Sequence, residues 1–284
     1  MFFRILILFS LLSTNFLGPN IEQIITKTRA ASYSIENNTG EVIGSGFAIK
    51  GNLIITNHHV VDAISGDVFI SEFDSQNKSR VELIFSDDYY DIAVLRSNHM
   101  KLDDYLLFSN IDLKHGDEVW AIGSGIGNLG IGAEGGVTKG VLSAYKVSSS
   151  GITMLQHSAS TTSGNSGGPL INTRGELVGV NTATGGEFAN SAGDGLTIVR
   201  NNNQSFALPS GQLKSILEAE SLYDNSFVFN EFLNSYKILI ICVLLIFIIF
   251  IIFIIGQKKT DIEDMRENKV YKTGTLYGKK KLFS

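Results

Sequence analysis

Residues 164–170 read Gly164-Asn165-Ser166-Gly167-Gly168-Pro169-Leu170, and the reading of this stretch decides the fold. A serine among glycines suits neither a helix interior nor a packed core, since glycine costs backbone entropy and brings no side chain to bury. It suits a tight loop in which a hydroxyl is exposed while backbone N–H groups converge on one point. Acyl transfer requires that arrangement, a nucleophile beside donors for a developing oxyanion.

A serine hydroxyl is a weak nucleophile at neutral pH and needs a base, most often a histidine oriented by a carboxylate. The five histidines, His58, His59, His99, His115 and His157, all precede Ser166. The loop also fits the GxSxG elbow of α/β-hydrolases, but those enzymes place the acid and the histidine after the serine. The subtilisin order, Asp then His then Ser, needs an aspartate ahead of the histidine. The first aspartate here is Asp62, beyond His59. Only the order His, Asp, Ser remains, which is that of chymotrypsin.

His58 and His59 close the β-prone run Leu53-Ile54-Ile55-Thr56-Asn57. Among Asp87, Asp88 and Asp91, only Asp91 directly precedes an apolar strand, Ile92-Ala93-Val94-Leu95, so the other two read as surface charges. His99 and His115 lie in polar loops and read as solvated. His157, at a strand end nine residues before Ser166, reads as structural or surface, with a binding-pocket role as the alternative. Gly125-Ile126-Gly127-Asn128-Leu129-Gly130 matches GxGxxG, but no helix pattern follows it, so it reads as a flexible loop and not a dinucleotide site.

Short β-like runs at 47–50, 53–56, 68–73, 81–85, 92–96, 119–122, 141–147, 152–156 and 177–181, with turns at 38–40, 50–52 and 173–175, predict an all-β barrel or sandwich. Leu213, Ile216, Leu217 and Leu222 give residues 210–223 a helical apolar stripe. Residues 238–255 are eighteen apolar residues without a charge. As a helix they span about 27 Å, close to the ~30 Å hydrocarbon core of a bilayer. Residues 2–12 form a shorter apolar run behind Arg4, similar to a signal-peptide core, with small residues near Ser13 and Gly18 as cleavage candidates. Residues 257–284 hold eight Lys/Arg against four Asp/Glu, whereas 30–237 hold twelve against twenty-three, a net of −11. The positive-inside rule then places the C-terminus in the cytoplasm and the acidic part outside. Cys242, the single cysteine, lies in the apolar run, so no disulfide within the domain is expected.

Thr56-Asn57-His58-His59-Val60-Val61, Asp91-Ile92-Ala93-Val94-Leu95 and Gly164-Asn165-Ser166-Gly167-Gly168-Pro169-Leu170, in this order, resemble trypsin-like serine proteases of the HtrA/Deg type. Gly44-Ser45-Gly46-Phe47 resembles that family's first strand. Val137 to Ala144 resembles the strand after its Gly-rich loop, and Phe206-Ala207-Leu208-Pro209-Ser210 its last strand before a C-terminal helix. The resemblance covers roughly residues 33–222. It implies two six-stranded antiparallel β-barrels with the triad between them: His59 as general base, Asp91 as its orienter and Ser166 as nucleophile. The family's single variable residue after Asn57 selects His59 over His58. The resemblance also implies backbone N–H groups of Gly164 and Ser166 as the oxyanion hole, with Ser160 and Thr161 lining the substrate pocket. Ser160 stands where trypsins carry an acid, so a small or medium apolar P1 side chain is expected.

The chain departs from the family in two respects. Asn165 replaces the aspartate that pairs with a new N-terminus in zymogen-derived trypsins, so that activation route is not expected. Residues 211–236 are too few for a further folded domain, which takes at least ~50 residues, so the family's PDZ domain has no room there. The expected organisation is a signal peptide or apolar segment at 1–18, a linker at 19–32, a trypsin-like protease domain at 33–223, a juxtamembrane linker at 224–237, a transmembrane helix at 238–255 and a basic cytoplasmic tail at 256–284. The expected function is a membrane-anchored, exported serine endopeptidase acting on polypeptides. No metal, cofactor or nucleic acid is expected, and residues 19–32 leave oligomerisation open. A non-catalytic chaperone or scaffold is the alternative. Retention of all three triad residues and both oxyanion positions favours the enzyme.

Overall fold

Strand β3 (Leu53–Thr56) is buried along its whole length, which explains why its sequence runs apolar without alternating. Ile54 points into the first barrel with Tyr33, Ile35, Ile70, Ala93 and Leu95. Leu53 and Ile55 point the other way, into a cluster that also contains Trp120, Ile122, Val180 and Leu208 of the second barrel. A strand with a core on each side reads as a continuous hydrophobic run.

The computed structural model describes residues 20–73, 75, 77–124, 135–148, 151–162, 164–190, 196–224, 237, 241–259 and 262–266, without the side chains of 183–190 and 196–204. The apolar run at 2–12, the glycine-rich loop at 125–130 and most of the basic tail lie outside the described residues. The chain divides into two units, Met1–Tyr223 and Asp224–Ser284.

The first unit consists of two closed antiparallel barrels of six strands each. Strands β1 (Ser32–Glu36), β2 (Val42–Ile49), β3, β4 (Val68–Glu72), β5 (Lys78–Asp87) and β6 (Ile92–Ser97) close in the order β1-β2-β3-β6-β5-β4. Strands β7 (Glu118–Ser124), β8 (Gly135–Val147), β9 (Thr153–His157), β10 (Pro169–Asn172), β11 (Leu177–Asn190) and β12 (Leu196–Pro209) close in the order β10-β11-β12-β9-β8-β7. Of the two expected architectures, barrel and sandwich, the chain takes the barrel, as the family resemblance implied. The interior of the second barrel holds Val119, Ala121, Leu142, Leu155, Leu170 and Ala207.

Three local expectations change. Residues 19–32, expected as a linker, contain helix α1 (Ile21–Ala30), opened by a reciprocal capping box between Asn20 and Gln23. Gly44-Ser45-Gly46-Phe47 lies in the second strand and not the first. Ahead of it runs β1, whose five residues are all buried although three are polar. Two of the three are paired through their side chains: Ser32 Oγ donates to Thr28 O at 2.7 Å, and Glu36 accepts from Ser71 Oγ and faces Lys78 Nζ at 3.3 Å. The helix expected over 210–223 stops earlier, as α3 (Ser210–Ala219). Ser221 turns into the left-handed region at φ 57°, and Leu222 N–H donates back to Leu217 O at 2.8 Å. Leu213 and Leu217 are fully buried against the barrels.

Among the described residues, one helix, Ile241–Arg266 in the second unit, is long and apolar enough to cross a membrane, with a mean hydropathy of 2.8 in its best window. Its side chains are exposed to the surroundings, Ile246 at 66% and Phe247 at 60%, unlike those of a core helix. Residues 238–240, where the expected span starts, lie outside the described ones.

Candidate active site

The nucleophile loop owes its shape to its glycines. Gly167 sits at φ 81°, and a Cβ there would come within 2.2 Å of Ser45 O. A Cβ on Gly168 would come within 2.2 Å of Ile122 O. Real Cβ atoms do not approach that closely, so the loop packs flush against β2 and β7 only without side chains at these positions. Two residues bolt it there: Ser45 N–H donates to Ser166 O at 2.8 Å and Ser45 Oγ to Gly164 O at 2.5 Å, while Ser124 Oγ reaches Gly164 O at 3.4 Å. Asn165 spends its side chain locally, its Oδ1 accepting from Thr162 Oγ1 at 3.0 Å.

His59 lies on the short helix α2 (His58–Asp62), and Asp91 stands just before β6; both belong to the first barrel. The His59 Nδ1 is 2.9 Å from each Asp91 carboxylate oxygen, and the His59 backbone N–H donates to Asp91 Oδ1 at 3.0 Å. A carboxylate only accepts, so Nδ1 carries the proton and Nε2 keeps its lone pair free to take another. Asp91 holds this geometry in the left-handed region, at φ 55°. Aspartate tolerates that conformation better than most residues. Its carbonyl is tied down by Asn57 Nδ2 at 2.8 Å. Asn57 stands at the N-cap of α2 but makes no side-chain cap bond there: its Nδ2 donates to Asp91 O, and its Oδ1 has no partner among the described residues.

Ser166 comes from the second barrel, in the loop between β9 and β10. Its hydroxyl has one partner among the described residues, Thr182 O at 3.4 Å. The same threonine donates its Oγ1 to Asp91 Oδ2. Thr182 thus links the barrels, with its carbonyl on the serine and its hydroxyl on the aspartate. The bond from Ser166 to His59 is not made in this state. Such bonds are often long in unliganded enzymes and tighten with substrate. The N–H groups of Gly164 and Ser166 donate to no protein acceptor among the described residues, which leaves both free for an anionic oxygen.

The structure therefore brings His59 and Asp91 together directly, and Ser166 to them through Thr182. Ser160 and Thr161 stand on the segment leading to Ser166. Ser160 is exposed and its carbonyl accepts from Thr138 Oγ1 at 2.6 Å; Thr161 Oγ1 donates to Ser205 Oγ at 2.7 Å. His58 pairs through Nδ1 with Ser86 Oγ at 2.7 Å. His99 and His115 are exposed. His157 is 1% exposed, inside the second barrel, so its structural reading holds over the surface one. Thr182, Asn57, Ser45 and Ser124 were missed from sequence. Their roles follow from barrel approach, and the only local signal was Asn57 beside the histidines.

Residues 44–180 match the trypsin-like peptidase domain family. A probable periplasmic serine endoprotease DegP-like of Rickettsia conorii is 33% identical over 184 residues, covering 62% of this chain and 33% of that protein. The serine endoprotease DegS of Haemophilus influenzae is 31% identical over 200 residues, covering 68% of this chain and 54% of that protein. The chain thus spans between a third and about half the length of these relatives. Among solved structures, a serine endoprotease from Yersinia pestis superposes with a TM-score of 0.55 at 27% identity, covering 72% of this chain and 67% of that one. The two-barrel unit is trypsin-like and of the HtrA/Deg type, as the sequence resemblance indicated.

Proposed function

We propose that this HtrA/Deg-type chain is a membrane-anchored serine endopeptidase with His59, Asp91 and Ser166 as its triad and the N–H groups of Gly164 and Ser166 as its oxyanion hole. The observation that carries the reading is the pairing of His59 Nδ1 with both Asp91 oxygens at 2.9 Å, in a site where the N–H groups of Gly164 and Ser166 have no acceptor among the described residues. Ser166 Oγ attacks the scissile carbonyl while His59 Nε2 takes its proton. The carbonyl oxygen, now anionic, settles on the two N–H groups, and the imidazolium is stabilised by Asp91. His59 then returns the proton to the leaving amine, leaving an acyl-enzyme that water hydrolyses by the same steps reversed. The names of the relatives support polypeptide substrates, and "periplasmic" in one of them supports an extracytoplasmic domain. The apolar helix supplies the anchor, and the basic residues after it favour a cytoplasmic C-terminus. Unfolded or membrane-proximal proteins are the substrates that suit a tethered endopeptidase.

Digestion of casein, an unfolded protein, by the purified full chain in detergent tests this reading. Wild type produces fragments, and Asp91→Asn lowers the rate by about 10⁴-fold, as expected when the histidine loses its orienting carboxylate. Casein left intact by wild type, or cleaved as well by Asp91→Asn, contradicts it.

A further inference from the structure

Inside the second barrel, directly behind the nucleophile loop, three buried polar atoms have no hydrogen-bond partner among the described residues: Asn181 Oδ1 and both ring nitrogens of His157. Asn181 is 2% exposed and His157 1%. The Asn181 side chain lies within interaction range of the His157 ring, although no bond of normal length and angle closes between them. Unpaired buried polar atoms are costly, and a neighbouring acceptor and donor left without partners call for an explanation.

Asn181 is more than a strand residue. Its carbonyl accepts from Gly167 N–H at 2.8 Å, and its own N–H donates to Gly168 O at 2.9 Å. Its Nδ2 donates to Gly168 O and to Pro169 O, each at 3.1 Å. Four bonds thus hold the segment immediately after Ser166. The next residue is Thr182, which touches both Ser166 and Asp91. With both amide hydrogens committed, Oδ1 is the one group of Asn181 still needing a partner. Burial pulls the His157 pKa down to about 4, against a smaller opposing effect of the Asn181 amide. The ring is therefore neutral at neutral pH, with one N–H to give.

We propose that His157 is a positioning residue for catalysis: its ring N–H closes onto Asn181 Oδ1 in the active form and fixes the amide that braces Gly168 and Pro169 behind the nucleophile. A flipped amide would turn its oxygen toward two carbonyls and release the loop. This inference rests on the endopeptidase reading above.

The test is the labelling rate of the full chain in detergent by a fluorophosphonate probe, alongside thermal unfolding and the kcat and KM for casein. His157→Leu removes unpaired polar atoms from a packed interior, so its Tm stays level or rises. Its labelling rate and kcat fall about 10-fold, the worth of one hydrogen bond, while KM is unchanged. His157→Gln, which restores a donor, recovers most of the rate. Asn181→Ala costs at least as much, and adding His157→Leu to it costs nothing further, because one residue acts through the other. Labelling of His157→Leu within ~2-fold of wild type, or losses that multiply in the double variant, overturns the inference while leaving the endopeptidase reading intact. An unlabelled wild type overturns both.

Discussion

At the scale of single residues, the site depends on a few hydrogen bonds that cross between barrels. Thr182 is the clearest case: its hydroxyl reaches Asp91 while its carbonyl holds Ser166. Thr182→Val keeps the volume and removes the bond. It lowers kcat/KM for casein by about 10-fold, measured against wild type, since a hydrogen bond to a charged group is worth roughly 1.5–3 kcal/mol and water can replace part of it. His157 makes a separate prediction about stability. Its folded pKa of about 4 lies below the ordinary histidine value of 6.5. Between those values the unfolded chain binds the extra proton and the folded chain does not. The stability associated with the neutral ring is therefore present above about pH 6.5, is lost as the pH falls, and is gone near pH 4. The loss is on the order of 3 kcal/mol. Denaturant unfolding across that range shows it as the difference between wild type and His157→Leu, whose curve is flatter. The proposed triad residues could be picked out of the sequence because acyl transfer restricts residue type and chain order. Thr182, Asn57 and Ser45 were not, because serine, threonine and asparagine have many structural uses and only tertiary approach selects one.

At the scale of elements, legibility followed burial. Strand β3 was read to the residue, because a strand buried on both faces announces itself as an apolar run. Strand β1, Ser-Tyr-Ser-Ile-Glu, was missed because it mixes polar and apolar residues, and Ser32 and Glu36 are satisfied by partners in the preceding helix or distant in sequence. Helix α1 carried a readable signal, Asn20 three residues ahead of Gln23, which the weak apolar pattern behind it obscured. That cap is testable: Asn20→Ala lowers unfolding stability by about 1 kcal/mol without changing catalysis. Helix α3 matters more, since Leu213 is fully buried in the cluster that both barrels share. Leu213→Ala costs about 2–5 kcal/mol by denaturant titration, the range for truncating a buried leucine. A loss under 1 kcal/mol would mean that α3 is not part of the cooperative core.

At the scale of the whole molecule, a two-barrel protease-like unit and an apolar helix share one chain, and each was legible from a different property. The barrels followed from motif order, and the helix from eighteen uncharged residues at 238–255. The split in charge, acidic before the helix and basic after it, predicts the topology. A reporter fused after Ser284 is active only in the cytoplasm if the account holds, and active outside if the orientation is reversed. The central claim remains that the loop around Ser166 performs acyl transfer. Mass spectrometry of the full chain after reaction with a fluorophosphonate tests it most directly. The account predicts one adduct, located on Ser166, abolished in Ser166→Ala and strongly slowed in His59→Ala. No adduct on the wild type, or an adduct that persists in Ser166→Ala, would contradict it.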